Sequence, residues 1–188
     1  MKQIILLFSF LAPFLLKAQE IIPNNRSFQT DFQGWQYGVW GDAKGKPVAT
    51  FTFDKTTGVD DKASFKIKVK SNTKGGNGDK VLLRRPDLKF KKNKDYTLTF
   101  YVKSRYVNDN MMVSLYSAPD TGSKYGWGAA FVRDFSFTGN GKWQKITYDF
   151  TATGIMGEPL DYKNLHLIFG FDKRRGTYWI DDISVVKK

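Results

Sequence analysis

The chain of 188 residues has no cysteine, one histidine (His166) and two glutamates (Glu20 and Glu158). Without cysteine it has neither a disulfide framework nor a lipid-modified N-terminal cysteine. It also lacks any run with a sustained 3.6-residue period, so helices are not its building material. Its one long apolar run, residues 4–16, is too short for a membrane span. It lies behind Lys2 and ahead of Lys17-Ala18-Gln19, as a secretory leader does. The expected cut follows Ala18, although Leu16, two residues before it, is larger than the usual residue there. This predicts a secreted or periplasmic protein with residues 1–18 as leader, residues 19–188 as one domain, and no membrane span.

Basic residues are abundant. Lysine and arginine total 30 against 18 acidic residues, a net charge of +12, or +10 once Lys2 and Lys17 leave with the leader. In an exported protein such a balance favours anionic polysaccharide or envelope surfaces, and export argues against nucleic acid. Many of the lysines alternate with apolar residues, as in Phe65-Lys66-Ile67-Lys68-Val69-Lys70, and these read as the solvated face of a strand.

From Ile21 onward, short strand-like runs are separated by Gly, Asn and Asp clusters, which predicts an all-β chain. Residues 95–103 alternate most clearly, with Tyr96, Leu98, Phe100 and Val102 inward and Thr97, Thr99, Tyr101 and Lys103 outward. Met111, Val113 and Leu115 repeat the inward pattern and leave Met112, Ser114 and Tyr116 outside. Residues 80–85 read as a short strand ending in Arg84-Arg85-Pro86. In residues 131–137, Arg133 shares a face with three phenylalanines, so it either snorkels or points into a cleft. The glycine-rich connection 118–128 holds Tyr125 and Trp127, large rings that gain little from burial in such a loop.

The last run, residues 176–185, is strand-like but interrupted by Asp181 and Asp182. Simple alternation groups Asp181 with Trp179, Ile183 and Val185, residues that want burial. A carboxylate there needs a bulge with backbone N–H donors, or a cation.

Five features in order carry a resemblance: Gly34-Trp35 after an aromatic, residues 96–102, Trp143-Gln144-Lys145 before Phe150-Thr151, Tyr178-Trp179-Ile180-Asp181-Asp182-Ile183, and the leader. Together they resemble the carbohydrate-binding modules of the family 4, 9 and 22 type. The resemblance implies an all-β jelly roll, a β-sandwich of two antiparallel sheets, that binds glycan chains without catalysis on a concave sheet face or in a cleft. It also implies that Trp35, Trp143 and Trp179 are buried. It further implies a structural calcium held partly by Asp181 and partly by an acid after Phe28. That second position is Gln29 here, and a neutral amide is a poorer ligand for a hard cation.

Sugar rings offer C–H patches rimmed by hydroxyls, so a glycan site wants exposed flat aromatics and a few fixed polar groups. Trp127, Tyr125, Trp40 and Tyr116 are the candidate platforms. Arg84, Lys103 and Arg133 are the candidate partners for uronate or sulfate groups. Two alternatives stay open. One is a jelly-roll hydrolase or lyase, for which the chain has no Glu-x-Asp-x-x-Glu pattern and only His166, in Leu-His-Leu-Ile, which reads as a packing or surface residue. The other is a structural or adhesive sandwich that docks to a protein.

Overall fold

The computed structural model describes residues 19–22, 27–28, 32, 34–40, 49–70, 80–105, 109–117, 128–172 and 175–188. Ten strands run through them: β1 (Gln36–Trp40), β2 (Ala49–Asp54), β3 (Ser64–Val69), β4 (Lys80–Leu88), β5 (Asp95–Ser104), β6 (Asp109–Ser117), β7 (Ala129–Phe137), β8 (Gln144–Thr151), β9 (Leu165–Asp172) and β10 (Gly176–Lys187). They form two five-stranded sheets, a front sheet ordered β1-β4-β9-β6-β7 and a back sheet ordered β2-β3-β10-β5-β8. Every strand pairing is antiparallel. The chain is the all-β sandwich that its short alternating runs predict.

Alternation explains the core. Tyr96, Leu98, Phe100 and Val102 of β5 are buried on the inner face of the back sheet, and Met111, Val113 and Leu115 of β6 on that of the front sheet. Leu165, Leu167, Phe169 and Phe171 of β9 join them. Each such side chain contributes about 1.5–3 kcal/mol by leaving water. Aromatic contacts close both long edges of the sandwich. Tyr37 of β1 meets Phe51 of β2 at 4.7 Å, and Phe131 and Phe135 of β7 meet Tyr148 of β8 at 5.0 and 5.6 Å.

Three register shifts interrupt the ladders among the described residues; one falls between Leu115 and Tyr116 of β6 against β7, and the other two are bulges that depart from simple alternation. In β10 the register against β5 shifts between Asp181 and Ser184, and Asp182 takes φ +44°. The extra residue resets the alternation, so Tyr178, Ile180, Ile183 and Val185 all face the core. Trp179 and Asp181 are therefore not grouped with Ile183 and Val185, as the sequence pattern has them. They lie on the opposite face, yet are only 4% and 1% exposed. In β4 a similar shift between Arg85 and Leu88 carries the strand past Pro86, where the pattern predicts an end. The bulge tolerates a residue without an N–H to give the ladder.

Candidate functional site

The outer face of the front sheet is assembled by register. One row across it reads Gln36, Arg84, Ile168, Ser114 and Val132, and the next reads Gly38, Leu82, Gly170, Met112 and Asp134. The two glycines thin the second row. A side chain added at Gly38 would meet no atom within 4 Å, so this point on the edge strand is open space. Beside it is a groove of about 300 Å³ lined by Gln36, Gly38, Leu82, Arg84, Tyr116 and Ile168, among others. The Arg84 guanidinium donates to the Gln36 side-chain carbonyl, which orients it across β1 and β4.

Tyr116 forms one wall of the groove and stacks on His166, its partner across β6 and β9, with ring centroids 5.2 Å apart. His166 is 8% exposed, and among the described residues neither ring nitrogen has a hydrogen-bond partner, nor has the buried side-chain carbonyl of Asn164. Buried polar atoms are normally satisfied, so this cluster is an expensive place to leave empty-handed. Burial pulls the imidazole below its ordinary range, and the nearby Arg84 charge adds to this while Asp87 opposes it. The ring is neutral near pH 7, with one nitrogen a donor and the other an acceptor. Sequence reasoning dismisses His166 because it stands alone. Its position between inward-facing Leu165 and Leu167 is the available signal, and it acquires meaning only through the pairing with Tyr116.

The predicted site residues divide. Arg84 and Tyr116 meet at the groove. Arg133 does not join them: it pairs with inward-facing Val113, emerges exposed at the β7 edge, and its Nε donates to the Tyr148 hydroxyl at 3.4 Å. Lys103 lies on the other sheet. Trp40 ends β1, its side chain outside the described residues, as are Tyr125 and Trp127. None of the groove-lining residues is acidic, so no carboxylate pair for glycosidic hydrolysis is found among them.

The outer face of the back sheet is built differently. Trp179 donates from Nε1 to Asp54 at 2.8 Å, and its ring lies under Lys66, Lys103 and Arg105. Burial alone would raise the Asp54 carboxyl. Hydrogen bonds from the Thr56 hydroxyl and amide, Trp179 and Lys66 outweigh it and hold the group far below the usual carboxylate range. Trp143, which the resemblance has buried, is half-buried at this surface with Lys103 5.1 Å from its ring.

Asp181 faces the same way. One carboxylate oxygen accepts the Val59 N–H and the other the Asp182 N–H, both at 2.8 Å. Burial nevertheless pushes its pKa up to about 7, and the Asp61 and Asp182 charges add to that against the two amide bonds. Calcium takes six to eight oxygen ligands, usually with several carboxylates. Among the described residues no three acidic or histidine side chains converge, and both oxygens of Asp181 already serve backbone donors. Gln29 lies outside the described residues. Of the two ligands the resemblance implies, the described residues supply Asp181 alone.

Comparisons with known proteins agree with this architecture. A family described as carbohydrate binding domain, comprising types 4 and 9, matches residues 22–169. Among solved structures, a Bacteroides thetaiotaomicron protein described as a candidate sugar binder superposes with a TM-score of 0.70 at 18% identity, covering 90% of this chain and all of that one. A family 4 carbohydrate-binding module aligns with a TM-score of 0.60 at 19% identity over 88% of this chain and 99% of its own. The xylan-binding CBM22-1 domain of Paenibacillus barcinonensis Xyn10C aligns with a TM-score of 0.57 at 15% identity over 86% and 91%. No curated protein matches the chain.

Proposed function

The chain belongs to the family of carbohydrate-binding domains of types 4 and 9, and from that premise we propose that it is an exported, non-catalytic module that holds a polysaccharide chain along the outer face of its front sheet. Residues 1–18 act as the leader and residues 19–188 as the single binding domain. Tyr116 supplies the stacking ring. Arg84, held by Gln36, supplies donors to hydroxyls or, in an acidic glycan, to a carboxylate. Tyr125 and Trp127, in the connection that follows β6, and Trp40 at the end of β1 are further platforms on the grounds of sequence. Arg133 is left to the rim. Asp181 serves as a backbone anchor in this reading, and no step depends on calcium.

The observation that carries the proposal is the groove itself, an open floor that includes Leu82 and Ile168, with the Tyr116 ring as wall and the Arg84 guanidinium held beside it by Gln36. A sugar chain brings hydroxyls that both donate and accept, and a flat C–H face for the ring. A protein-docking sandwich would instead present a flat apolar patch.

Affinity electrophoresis of the mature protein through gels containing neutral glucans, xylan, mannan, alginate or pectin tests it. We expect retardation by at least one polymer, reduced about tenfold or more in affinity in Tyr116→Ala and in Trp127→Ala, the loss typical of a central aromatic contact. Passage through every gel unretarded would overturn the reading. Retardation indifferent to Tyr116 and Arg84 would move the site off the front sheet.

A further inference from the structure

We propose that the outer face of the back sheet, around Trp179, is a second binding surface, specific for carboxylate-bearing acidic polysaccharide. It is opposite in position to the groove and independent of whether the groove binds as proposed.

The indole of Trp179 lies between two lysines in register, Lys66 on β3 and Lys103 on β5. Their ammonium nitrogens are 5.3 and 4.7 Å from the ring, and the guanidinium of Arg105 is 5.6 Å from it. Because the ring is only 4% exposed, what this surface presents to solvent is charge laid over an aromatic base. The arrangement holds the cations flat and pre-ordered, which lowers the side-chain entropy a ligand must overcome.

The charge is not balanced locally. Asp54 is the nearby carboxylate, and it already holds Lys66 at 3.2 Å and the indole N–H. Among the described residues neither Lys103 nor Arg105 has a carboxylate within ion-pair distance. Burial lowers the Lys103 pKa; the pull of Asp54 opposes this, and the Arg105 and Lys66 charges add to the lowering, so an arriving anion offsets a partly desolvated charge.

The surface is extended rather than enclosed. Lys145 of β8 lies 6.0 Å from the Tyr101 ring and continues the cations beyond β5. On the other side, a shallow depression of about 260 Å³ is lined by Lys68, Lys70 and Arg175. Neighbouring strands are ~4.8 Å apart, so Lys66 and Lys103 are separated by about two such spacings and Lys145 lies one strand further. A row of point charges over that length matches a chain with repeated anionic groups, not a single small anion. Lysine dominates the row, and its compact point charges suit singly spaced anionic groups along a polymer rather than one bidentate ligand. The family supplies the polymer class, and the charge selects its acidic members.

The test is binding of the mature protein to polygalacturonate, followed by titration calorimetry and by the total tryptophan emission of the protein. The variants are Lys103→Gln/Arg105→Gln, Lys103→Arg and, in the groove, Gly38→Leu. We expect polygalacturonate to perturb the indole emission of the parent. The double glutamine variant should lose about tenfold in affinity, the weight of two exposed charge pairs, and show a shallower salt dependence. Lys103→Arg, which keeps the charge, should retain binding and so separates lost charge from lost fold. With the groove filled by Gly38→Leu, the double glutamine change should cost the same factor in polygalacturonate affinity as it does in the parent, which separates the two surfaces. Unchanged affinity in the double glutamine variant would overturn the proposal. So would tighter binding to duplex DNA or phosphatidylserine vesicles than to polygalacturonate, lost in the same variant.

Discussion

The two outer faces of the sandwich use aromatics in opposite ways. On the back sheet Trp179 is covered by cations, its N–H is bound, and the carboxylates of Asp54 and Asp181 have their donors. On the front sheet Tyr116 borders open space, and the imidazole beneath it has two nitrogens unpaired among the described residues. The back face has completed its hydrogen bonds within the fold and keeps an excess of charge. The front face instead leaves a ring, Tyr116, and an oriented guanidinium, Arg84, on an open groove. A ring near the surface is therefore not a platform by virtue of being aromatic; the state of its polar neighbours decides.

The sharpest way to break this comparison is to remove the covered ring. Trp179→Ala should cost about 3–5 kcal/mol, as for other buried tryptophans, because it opens a cavity and leaves Asp54 short of a donor. Urea denaturation measures it. Groove affinity for a neutral glycan, measured well below the midpoint, should be unchanged. A stability loss under about 1 kcal/mol would mean that the lysines, not the indole, organise this face.

Much of the sandwich is legible in the chain, since strict alternation in residues 96–102, 111–115 and 165–171 names the core of both sheets. The β10 bulge is legible as one of the two readings that the Asp181-Asp182 pair allows, but its consequence for facing is not, and the β4 bulge is not legible at all. A single inserted residue at Asp182, or at Asp87 beside Pro86, leaves no trace in composition, yet it decides which way Asp181 points and how far β4 runs. Pairing is the other gap. Arg84 and Arg133 look equivalent as strand arginines, and only the strand order shows that one borders Tyr116 while the other reaches Tyr148 at the sandwich edge. His166 is missed for the same reason, because its stacking partner is 50 residues away in sequence.

The second prediction concerns acid balance on the back face. A carboxyl whose pKa is raised from 3.8 to about 7 binds its proton more tightly folded than unfolded. Its contribution to stability is thus fully present below about pH 4 and is lost as pH rises through 7, at up to about 1.4 kcal/mol per pH unit. The melting temperature should fall across that window, and Asp181→Asn, which keeps only one of the two accepting oxygens and does not titrate, should melt lower than the parent at low pH and flatten the fall. Millimolar calcium at pH 8 should leave the parent's melting temperature where it is. A rise on adding calcium, abolished in Asp181→Asn, would show that a cation completes this carboxylate cluster after all.

The smallest expected change in stability belongs to the front face, where it separates folding from binding. Gly38 has an ordinary backbone conformation and open space where a side chain would go. Gly38→Leu should therefore leave the unfolding free energy within about 0.5 kcal/mol, or raise it slightly, since leucine has less unfolded-state freedom to lose than glycine. The new side chain projects over the groove between Leu82 and Arg84 and occupies the volume a sugar ring needs. Neutral-glycan retardation in affinity gels should disappear while the urea midpoint holds. Were binding to survive this substitution with stability intact, the open row of Gly38 and Leu82 would be a surface feature only, and the difference between the two faces would no longer predict where glycan goes.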